Sequence, residues 1–392
     1  MLYVGIDVAK NKHDYCIIDS DGVVHLNGIT ITNTKEGFDS LYSSILSMLP
    51  DKDLNNVRIG LEATGHYSTN ISSYLYSKGL QITTLNPLAT NLFRKARTLR
   101  KTKTDKGDAS IIAHMLFVDD SESYSPISYQ IQELKSLTRH RYRLVGYRSK
   151  LRISINRLID VAFPELPSLV WSIHQKTSYA LLLEYPSPQA LANCHLTRLT
   201  NLLLKASKGK YSKEKAIALK ELAANSIGTS NRSTDFELKQ TIRLVQSLQI
   251  EIREVDKLIK LIIDELDSPI MSIPGISYTL AAFILAEIGD IHRFASPAKL
   301  LAFAGLEPST YQSGNFTASH SSMVKRGSTY LRWAIMQSAR LVCMRDATFG
   351  DYLAKKRSEG KHYYVALSHV SRKLIRVIFH LLLSNSTFIP QS

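Results

Sequence analysis

The chain has 392 residues, and its 49 Lys and Arg against 34 Asp and Glu give a net charge of +15. This excess makes nucleic acid the first partner to expect, ahead of an anionic membrane surface. No apolar run approaches the roughly 20 residues that cross a bilayer, so no membrane partner is expected and the protein is predicted to be cytoplasmic and nucleoid-associated. The cysteines, Cys16, Cys194 and Cys343, are too few and too far apart for a disulfide framework or a zinc site.

The first third of the chain alternates between strand-like and helix-like segments. Apolar runs and turn residues predict strands at 2–8, 14–19, 23–31, 57–62 and 80–85, with helices at 36–49, 68–78 and from 86 onwards. The first three strands form an antiparallel meander in this prediction. The order β-β-β-α-β-α-β-α is that of the ribonuclease H-like fold, so we expect an α/β domain of this type.

Acidic residues occur at particular places in this pattern. Asp7 lies within an apolar strand, Glu62 ends a core strand, and Asp105 and Asp108 share one face of a helix that begins after Thr104. Four acids in this order could converge above the sheet and hold two divalent ions about 4 Å apart. The alternative for the helix pair is that Asp105 and Asp108 only interact favourably with the helix dipole.

A cationic segment precedes the two helix acids. No acid interrupts it, and a polyanion would be attracted to the same place. Its members are Arg94, Lys95, Arg97, Arg100, Lys101 and Lys103.

Residues 130–163 have the periodicity of one long amphipathic helix. Between residues 134 and 159 this helix has eight cations and no acid. Such a run favours a surface that follows nucleic-acid phosphates over an ordinary solvated face. The members proposed as contacts are Arg139, Arg141, Arg143, Arg148, Lys150 and Arg152. We place the end of the nuclease-like domain at residue 163.

The middle of the chain is predicted to be helical. Residues 164–233, with several prolines and a Lys-, Ser- and Asn-rich end, are interpreted as a helical insertion. A capping box at Thr234 and Glu237 then starts a heptad-like seam over 234–267, typical of a coiled coil. One helix packed within its own domain is the alternative. The narrow seam favours antiparallel or dimeric pairing, and we therefore expect a homo-oligomer, a dimer or a tetramer.

The C-terminal domain, 268–392, is predicted to be mainly helical. Ile273-Pro274-Gly275-Ile276 before an apolar helix resembles a helix-hairpin-helix unit, whose turn donates backbone N–H groups to phosphates. Ser313 stands before Gly314 in a turn, where serine is normally a turn residue. Lys325 and Arg326 follow as candidate nucleic-acid contacts, and cations near a serine would suit attack on phosphorus.

Several short motifs together identify a family. They are Tyr3-Val4-Gly5-Ile6-Asp7, Leu61-Glu62-Ala63-Thr64-Gly65, Thr104-Asp105-x-x-Asp108, Ile273-Pro274-Gly275-Ile276, Phe303-Ala304-Gly305-Leu306 and Tyr311-x-Ser313-Gly314. In this order they resemble the transposases and DNA invertases with an Asp-Glu-Asp-Asp centre, described as serine recombinases guided by a bridge RNA. Lys325-x-Gly327 also matches, whereas Val324 stands where this family would have serine.

The resemblance implies a RuvC-like nuclease domain in which Asp7, Glu62, Asp105 and Asp108 bind Mg²⁺. It also implies that Ser313 becomes covalently joined to double-stranded DNA, and that a structured non-coding guide RNA binds as cofactor. The acids and the serine of one active site could come from different subunits. The expected function is site-specific recombination for a mobile element.

Three other functions remain open from the sequence. A RuvC-like nuclease or junction resolvase would use a metal-bound water as its nucleophile and form no adduct. A nucleic-acid-binding scaffold with a decayed nuclease domain is disfavoured by the presence of all four acids. An actin-like ATPase is disfavoured because Val8-Ala9-Lys10-Asn11 lacks the Gly, Ser and Thr of a phosphate loop.

Overall fold

The computed structural model describes residues 1–62, 67–85, 87–97, 105–118, 129–309, 312–313, 316–317 and 323–390. The chain divides into two compact units, one formed by residues 1–128 and 290–295 and the other by residues 129–289 and 296–392. The units meet in sequence at 128/129 and not at the predicted 163/164. This difference arises because the long helix that starts at Tyr129 packs along another long helix of the second unit.

The first unit contains a five-stranded mixed sheet. The strands are β1 (Leu2–Val8), β2 (Lys12–Asp19), β3 (Val24–Thr32), β4 (Val57–Glu62) and β5 (Gln81–Leu85). Their order is β3-β2-β1-β4-β5, with β1, β2 and β3 antiparallel and β4 and β5 parallel to β1. The predicted strands and the α/β character of this part are therefore confirmed, with the acid-bearing β1 at the centre.

Helices cover both faces of this sheet. They are α1 (Lys35–Ser47), α2 (Ser68–Ser77), α3 (Pro87–Arg97) and α4 (Asp105–Val118). Thr34 caps α1 by accepting from the Gly37 amide, which explains why the helix begins there. The buried side chains of α1 and α2 join one core, whereas Ala109 and Ala113 of α4 pack with Cys16 and Ile18 of β2. The face that carries α4 is the one that matters for the site.

Small residues allow α4 to lie close to the sheet. A Cβ atom added at Gly5 would stand 2.2 Å from the Ala109 carbonyl oxygen and 2.3 Å from the Ala113 nitrogen. We expect Gly5→Ala to lower the free energy of unfolding by about 1 to 3 kcal/mol, because both obstacles are backbone atoms that cannot rotate away. Urea unfolding followed by circular dichroism measures the change.

Gly146 provides the matched control for this substitution. A Cβ atom there would meet nothing within 4 Å. Gly146→Ala lies within a helix and is expected to raise stability by about 0.5 to 1 kcal/mol. Equal effects of the two substitutions would contradict the close approach of α4 to β1.

His13 makes the stability of the first unit depend on pH. It is 0% exposed and stacks on Phe38, with 5.8 Å between ring centroids. Burial lowers its pKa from the ordinary 6.5, against smaller opposing contributions from Asn33 and Asp14. His13 of the unfolded chain therefore takes up a proton near pH 6.5, whereas His13 of the folded chain does not. The contribution of His13 to the free energy of unfolding is therefore fully present above that pH and decreases as the pH falls below it.

We expect His13→Leu to remove part of this fall between about pH 7 and pH 5, because leucine fills the same core without a titratable group. Urea unfolding at several pH values compares the two proteins. An identical pH dependence in the variant would show that His13 is not the titrating group.

The second unit is organised around a pair of long antiparallel helices, α5 (Tyr129–Ala162) and α11 (Arg232–Leu266). Side-chain bonds run along the pair in opposite sequence directions: Gln130–Glu265, Arg141–Asp256 and Arg157–Glu237. The predicted seam is thus buried within this chain, at residues that include Ile252, Val255 and Ile259. Helix α11 begins at Arg232 with Asn231 as N-cap, so the capping box predicted at Thr234 is wrong, because the Asn231 side chain accepts from the Thr234 amide.

The insertion between these helices consists of short helices. They are α6 (Leu166–Leu169), α7 (Lys176–Glu184), α8 (Pro188–Ala192), α9 (Leu196–Ser207) and α10 (Lys213–Ala224). Their apolar residues share a core with α5 and α11. The predicted helical character of 164–233 is confirmed, and the insertion is well packed.

The C-terminal part adds helices and a short hairpin. The elements are α12 (Tyr278–Ile288), α13 (Pro297–Phe303), β6 (Gln312–Ser313), β7 (Phe316–Thr317), α14 (Thr329–Val342), α15 (Ala347–Ser358) and α16 (Tyr363–Ser384). The Pro274-Gly275 turn contacts α14, since a Cβ at Gly275 would lie 2.8 Å from the Leu341 backbone. Gly275 has φ +97°, and this turn therefore has a packing role whether or not it binds phosphate. No helix in the described part of the chain is long and apolar enough to cross a membrane.

Candidate active-site residues in the two units

The direction of α4 over the sheet decides where its acids lie. Tyr3 contacts Phe117 near the end of α4, with ring centroids 5.6 Å apart, and Gly5 contacts Ala113 and Ala109. Helix α4 therefore runs antiparallel to β1. Two strand residues advance about as far as four helix residues, so the next inward position after Gly5, which is Asp7, faces the first turn of α4.

Asp7 and Glu62 point to the same face of the sheet. Asp7 follows Gly5 by two residues, and Glu62 follows Gly60 by two; both glycines face α4, Gly60 through Leu116. Because side chains alternate along a strand, the two carboxylates share the α4 face. The parallel register pairs Ile6 with Leu61, so the acids also stand at neighbouring positions on adjacent strands.

Asp108 has a counter-charge within the first unit. Its side chain is 10% exposed, and Arg94 Nη1 of α3 lies 3.1 Å from its Oδ1 atom. The Arg94 Nη2 atom also donates to Asn91 at 2.8 Å. Arg94, predicted as a nucleic-acid contact, thus binds a predicted metal ligand in this structure.

Asp105 begins α4, so its predicted helical position is confirmed, but its side chain is outside the described residues, as is the predicted N-cap Thr104. Among the described residues, no group of three or more His, Cys, Asp or Glu side chains is arranged to hold a metal ion. Carboxylates are nevertheless the ligand type that Mg²⁺ prefers. The four-acid metal site therefore remains a prediction.

One acid near this site was missed by the sequence reasoning. Asp14 of β2 pairs directly with Asp7 across the antiparallel strands, so both side chains are on the α4 face. It is buried, accepts from Thr30 Oγ1 at 2.5 Å and lies 3.5 Å from Lys12 Nζ. The sequence feature that could have revealed Asp14 is the short connection between β1 and β2. A short connection pairs the two strands so that Asp7 and Asp14 become cross-strand neighbours.

The long basic helix is less free than its sequence indicates. Although the run itself contains no acid, other helices supply counter-charges from α11 and α12: Arg139 binds Glu287 at 2.8 Å, and Arg141 binds Asp256 at 2.5 Å. Arg148 donates to Gln249. Arg143 and Lys150 are exposed and therefore available to contact phosphate. Arg152 is partly buried, and its side chain interacts with Tyr179.

Of the cations before α4, Lys95 is exposed. Arg94 binds Asp108 as described above. The remaining four cannot be assigned a contact, since the side chain of Arg97 and residues Arg100, Lys101 and Lys103 are outside the described part.

The predicted nucleophile Ser313 lies in a β-hairpin of the second unit. Gln312 pairs with Thr317 and Ser313 with Phe316, and Pro308 pairs with Met323 further down. The Ser313 side chain is outside the described residues, so its neighbours are not assigned. Lys325 and Arg326 are exposed at the base of this hairpin.

Comparison with known proteins gives matches at both ends of the chain. A family model described as "Transposase", with the DEDD domain of the IS110 type, matches residues 4–164. A second, described as "Transposase IS116/IS110/IS902 family", matches residues 267–354. The matched segments contain the four acids and Ser313.

Two relatives align over nearly the whole chain. The uncharacterized 44.8 kDa protein of insertion element IS116 from Streptomyces clavuligerus is 27% identical over 99% of this chain and 96% of its own length. The pilin gene-inverting protein of Moraxella lacunata is 23% identical over 98% of this chain and 97% of its own.

A solved structure, RuvC of T. thermophilus in complex with a Holliday junction substrate, is 12% identical and covers 31% of this chain and 98% of its own length. Its TM-score of 0.22 does not establish a common fold. The family is assigned from the sequence matches. The chain belongs to the IS116/IS110/IS902 family of transposases, enzymes that cleave and rejoin DNA.

Proposed function

We propose that this transposase is a site-specific recombinase of a mobile element that joins DNA covalently to Ser313 with Mg²⁺ assistance. The observation that supports the proposal is that Asp7 and Glu62 lie on one face of the sheet. Asp7 and Glu62 stand on neighbouring parallel strands, on the face that the first turn of α4, with Asp105 and Asp108, approaches.

The proposed metal site would use Asp7, Glu62, Asp105 and Asp108. Two bound Mg²⁺ ions would supply charge to neutralise the scissile phosphate as its negative charge grows. The acids would hold that cationic charge at the strand ends, and Arg94 orients the Asp108 carboxylate through its 3.1 Å contact.

Ser313 would be the nucleophile. Its Oγ atom forms a bond to phosphorus, the bond from phosphorus to one strand oxygen breaks, and the leaving oxygen takes up the proton that the serine hydroxyl loses. The phosphoserine ester retains the energy of the broken bond, so a hydroxyl of a second strand can reverse the reaction and rejoin DNA without ATP.

We also propose a double-stranded DNA substrate and a structured guide RNA. Support comes from the net charge of +15 and from exposed cations in both units, among them Lys95, Arg143, Lys150, Lys325 and Arg326. Guidance by RNA follows from the family resemblance, as does assembly as a dimer or tetramer. Co-purified RNA that is protected from nuclease and maps beside the gene would support the guide.

Covalent trapping tests the function directly. The purified protein, with its co-purified RNA, is incubated with a DNA substrate that loses a short fragment on cleavage and so cannot be rejoined. Serine attack predicts a protein–DNA adduct on a denaturing gel, dependent on Mg²⁺ and absent in EDTA, with the modified peptide containing Ser313. Cleavage without an adduct would favour the alternative, a RuvC-like nuclease or junction resolvase with water as nucleophile.

A further inference from the structure

The segment that carries Ser313 is closed at its base by hydrogen bonds. The Val324 amide donates to Glu307 at 2.9 Å and the Lys325 amide to Gly305 at 3.2 Å. The Ser328 amide donates to Phe303 at 2.8 Å. These bonds bring the two ends of the segment 305–328 together, and we call this region the hairpin base.

Two further contacts stabilise the hairpin base. Arg332 of α14 donates through one Nη1 atom to the carbonyl oxygens of Ala304, at 3.3 Å, and Lys325, at 3.1 Å. Gly327 has φ +108°, and a Cβ there would stand 2.1 Å from the Phe303 oxygen. The two ends of the segment therefore pack closely against each other at this point.

A buried carboxylate lies directly beneath the hairpin base. Glu287 of α12 is 2% exposed, and Ser328 Oγ donates to its Oε2 atom at 2.8 Å. Ser328 is also the N-cap of α14, accepting from the Leu331 amide at 3.1 Å. One hydroxyl thus joins the end of the serine segment, the start of α14 and a buried charge.

Arg139 of α5 holds this carboxylate in place. Its Nε and Nη2 atoms donate to the two Glu287 oxygens at 2.8 and 3.0 Å, and its guanidinium lies 4.9 Å from the Tyr330 ring centroid. Burial of Glu287 opposes ionisation, but the bonds from Arg139 and Ser328 outweigh it and keep the Glu287 pKa below its ordinary value. A bidentate pair of this kind fixes orientation, not only charge.

We propose that Glu287 and Ser328 are positioning residues for the Ser313 hairpin, held by Arg139 on the long helix α5. The inference rests on the proposed role of Ser313. It assigns a function to a buried ion pair outside the acid site, and side chains connect α5, which carries candidate nucleic-acid contacts, to the base of the segment that carries Ser313. A displacement of α5 would reach the hairpin base through Arg139, Glu287 and Ser328.

Hydrogen exchange and adduct formation together test this inference in the full-length protein. Ser328→Ala and Glu287→Gln are expected to accelerate exchange of the backbone amides at positions 324, 325 and 328, which close the hairpin base. Both should also slow adduct formation about tenfold at saturating DNA, the size expected for one lost bond to a buried charged group. DNA affinity should stay within about twofold, because no proposed contact is removed. Ser328→Thr keeps the hydroxyl and is expected to restore both measurements.

Ser277→Ala is the matched control. Ser277 is also an N-cap serine, accepting from Leu280 at 3.4 Å at the start of α12, but it is exposed. This variant should change neither the hairpin exchange nor the adduct rate. Unchanged exchange at the hairpin base in Ser328→Ala and Glu287→Gln would overturn the inference, and so would faster exchange with an unchanged adduct rate. Absence of any adduct with the wild-type protein would refute the proposed function instead, and the exchange comparison would then decide by itself whether Glu287 holds the base.

Discussion

Ser313→Ala is expected to abolish the covalent protein–DNA adduct and to leave DNA binding intact. The reason is chemical: alanine has no oxygen to bond to phosphorus, so no phosphoserine ester can form, whereas the cations that contact the DNA backbone are unchanged. A denaturing gel measures the adduct, and a mobility-shift titration measures the affinity. The expected loss is complete, which makes this the largest effect among the predictions.

Ser309→Ala serves as the control for this substitution. Ser309 precedes the same hairpin, four residues before Ser313, and has no role in the proposed chemistry. Its alanine variant should form the adduct at nearly the wild-type rate. An adduct of wild-type yield in Ser313→Ala would remove Ser313 from the mechanism and require another nucleophile.

Asp7→Asn is expected to lower the rate of DNA cleavage by about a hundredfold or more. The carboxamide has nearly the same shape as the carboxylate but no charge. It should therefore weaken the binding of a divalent ion at the ends of β1 and β4. Calorimetric Mg²⁺ titration gives a second readout, and the affinity should fall with the rate.

Stability distinguishes a metal-site effect from misfolding. Asp7 stands directly opposite Asp14, and like charges in that position destabilise a sheet. Asp7→Asn should therefore unfold at the same or a higher urea concentration than the wild-type protein while losing activity. Asp51→Asn, at an exposed acid of the same unit, should leave both properties unchanged. Full cleavage by Asp7→Asn, or by the wild-type protein in EDTA, would contradict metal assistance by this acid.

The elements of the first unit were predictable because local sequence is sufficient to specify them. Apolar runs bounded by turn residues identified all five strands of the sheet to within about two residues, and the order of elements indicated the mixed α/β topology. The family was likewise predictable, since its motifs are short and lie in a specific order. The four acids were recognised by their places on these elements.

Contacts between distant segments could not be read from the sequence. The cations between residues 134 and 159 have no acid among them, yet Glu287 and Asp256 reach Arg139 and Arg141 from other helices. The seam of α11 was expected to support an oligomer, and it packs on α5 of the same chain. A helical seam specifies that a partner exists but not whether that partner is its own chain.

The amino-acid sequence by itself determined which segments become strands and helices, which family the chain resembles and which acids are candidates for catalysis, because each depends on residues close together in the chain. Only the tertiary structure decided that Asp14 faces Asp7, that Arg94 neutralises Asp108 and that Glu287 lies beneath the hairpin base. The physical reason is that these interactions join residues far apart in sequence, and their energies depend on distances and burial that exist only after the chain has folded.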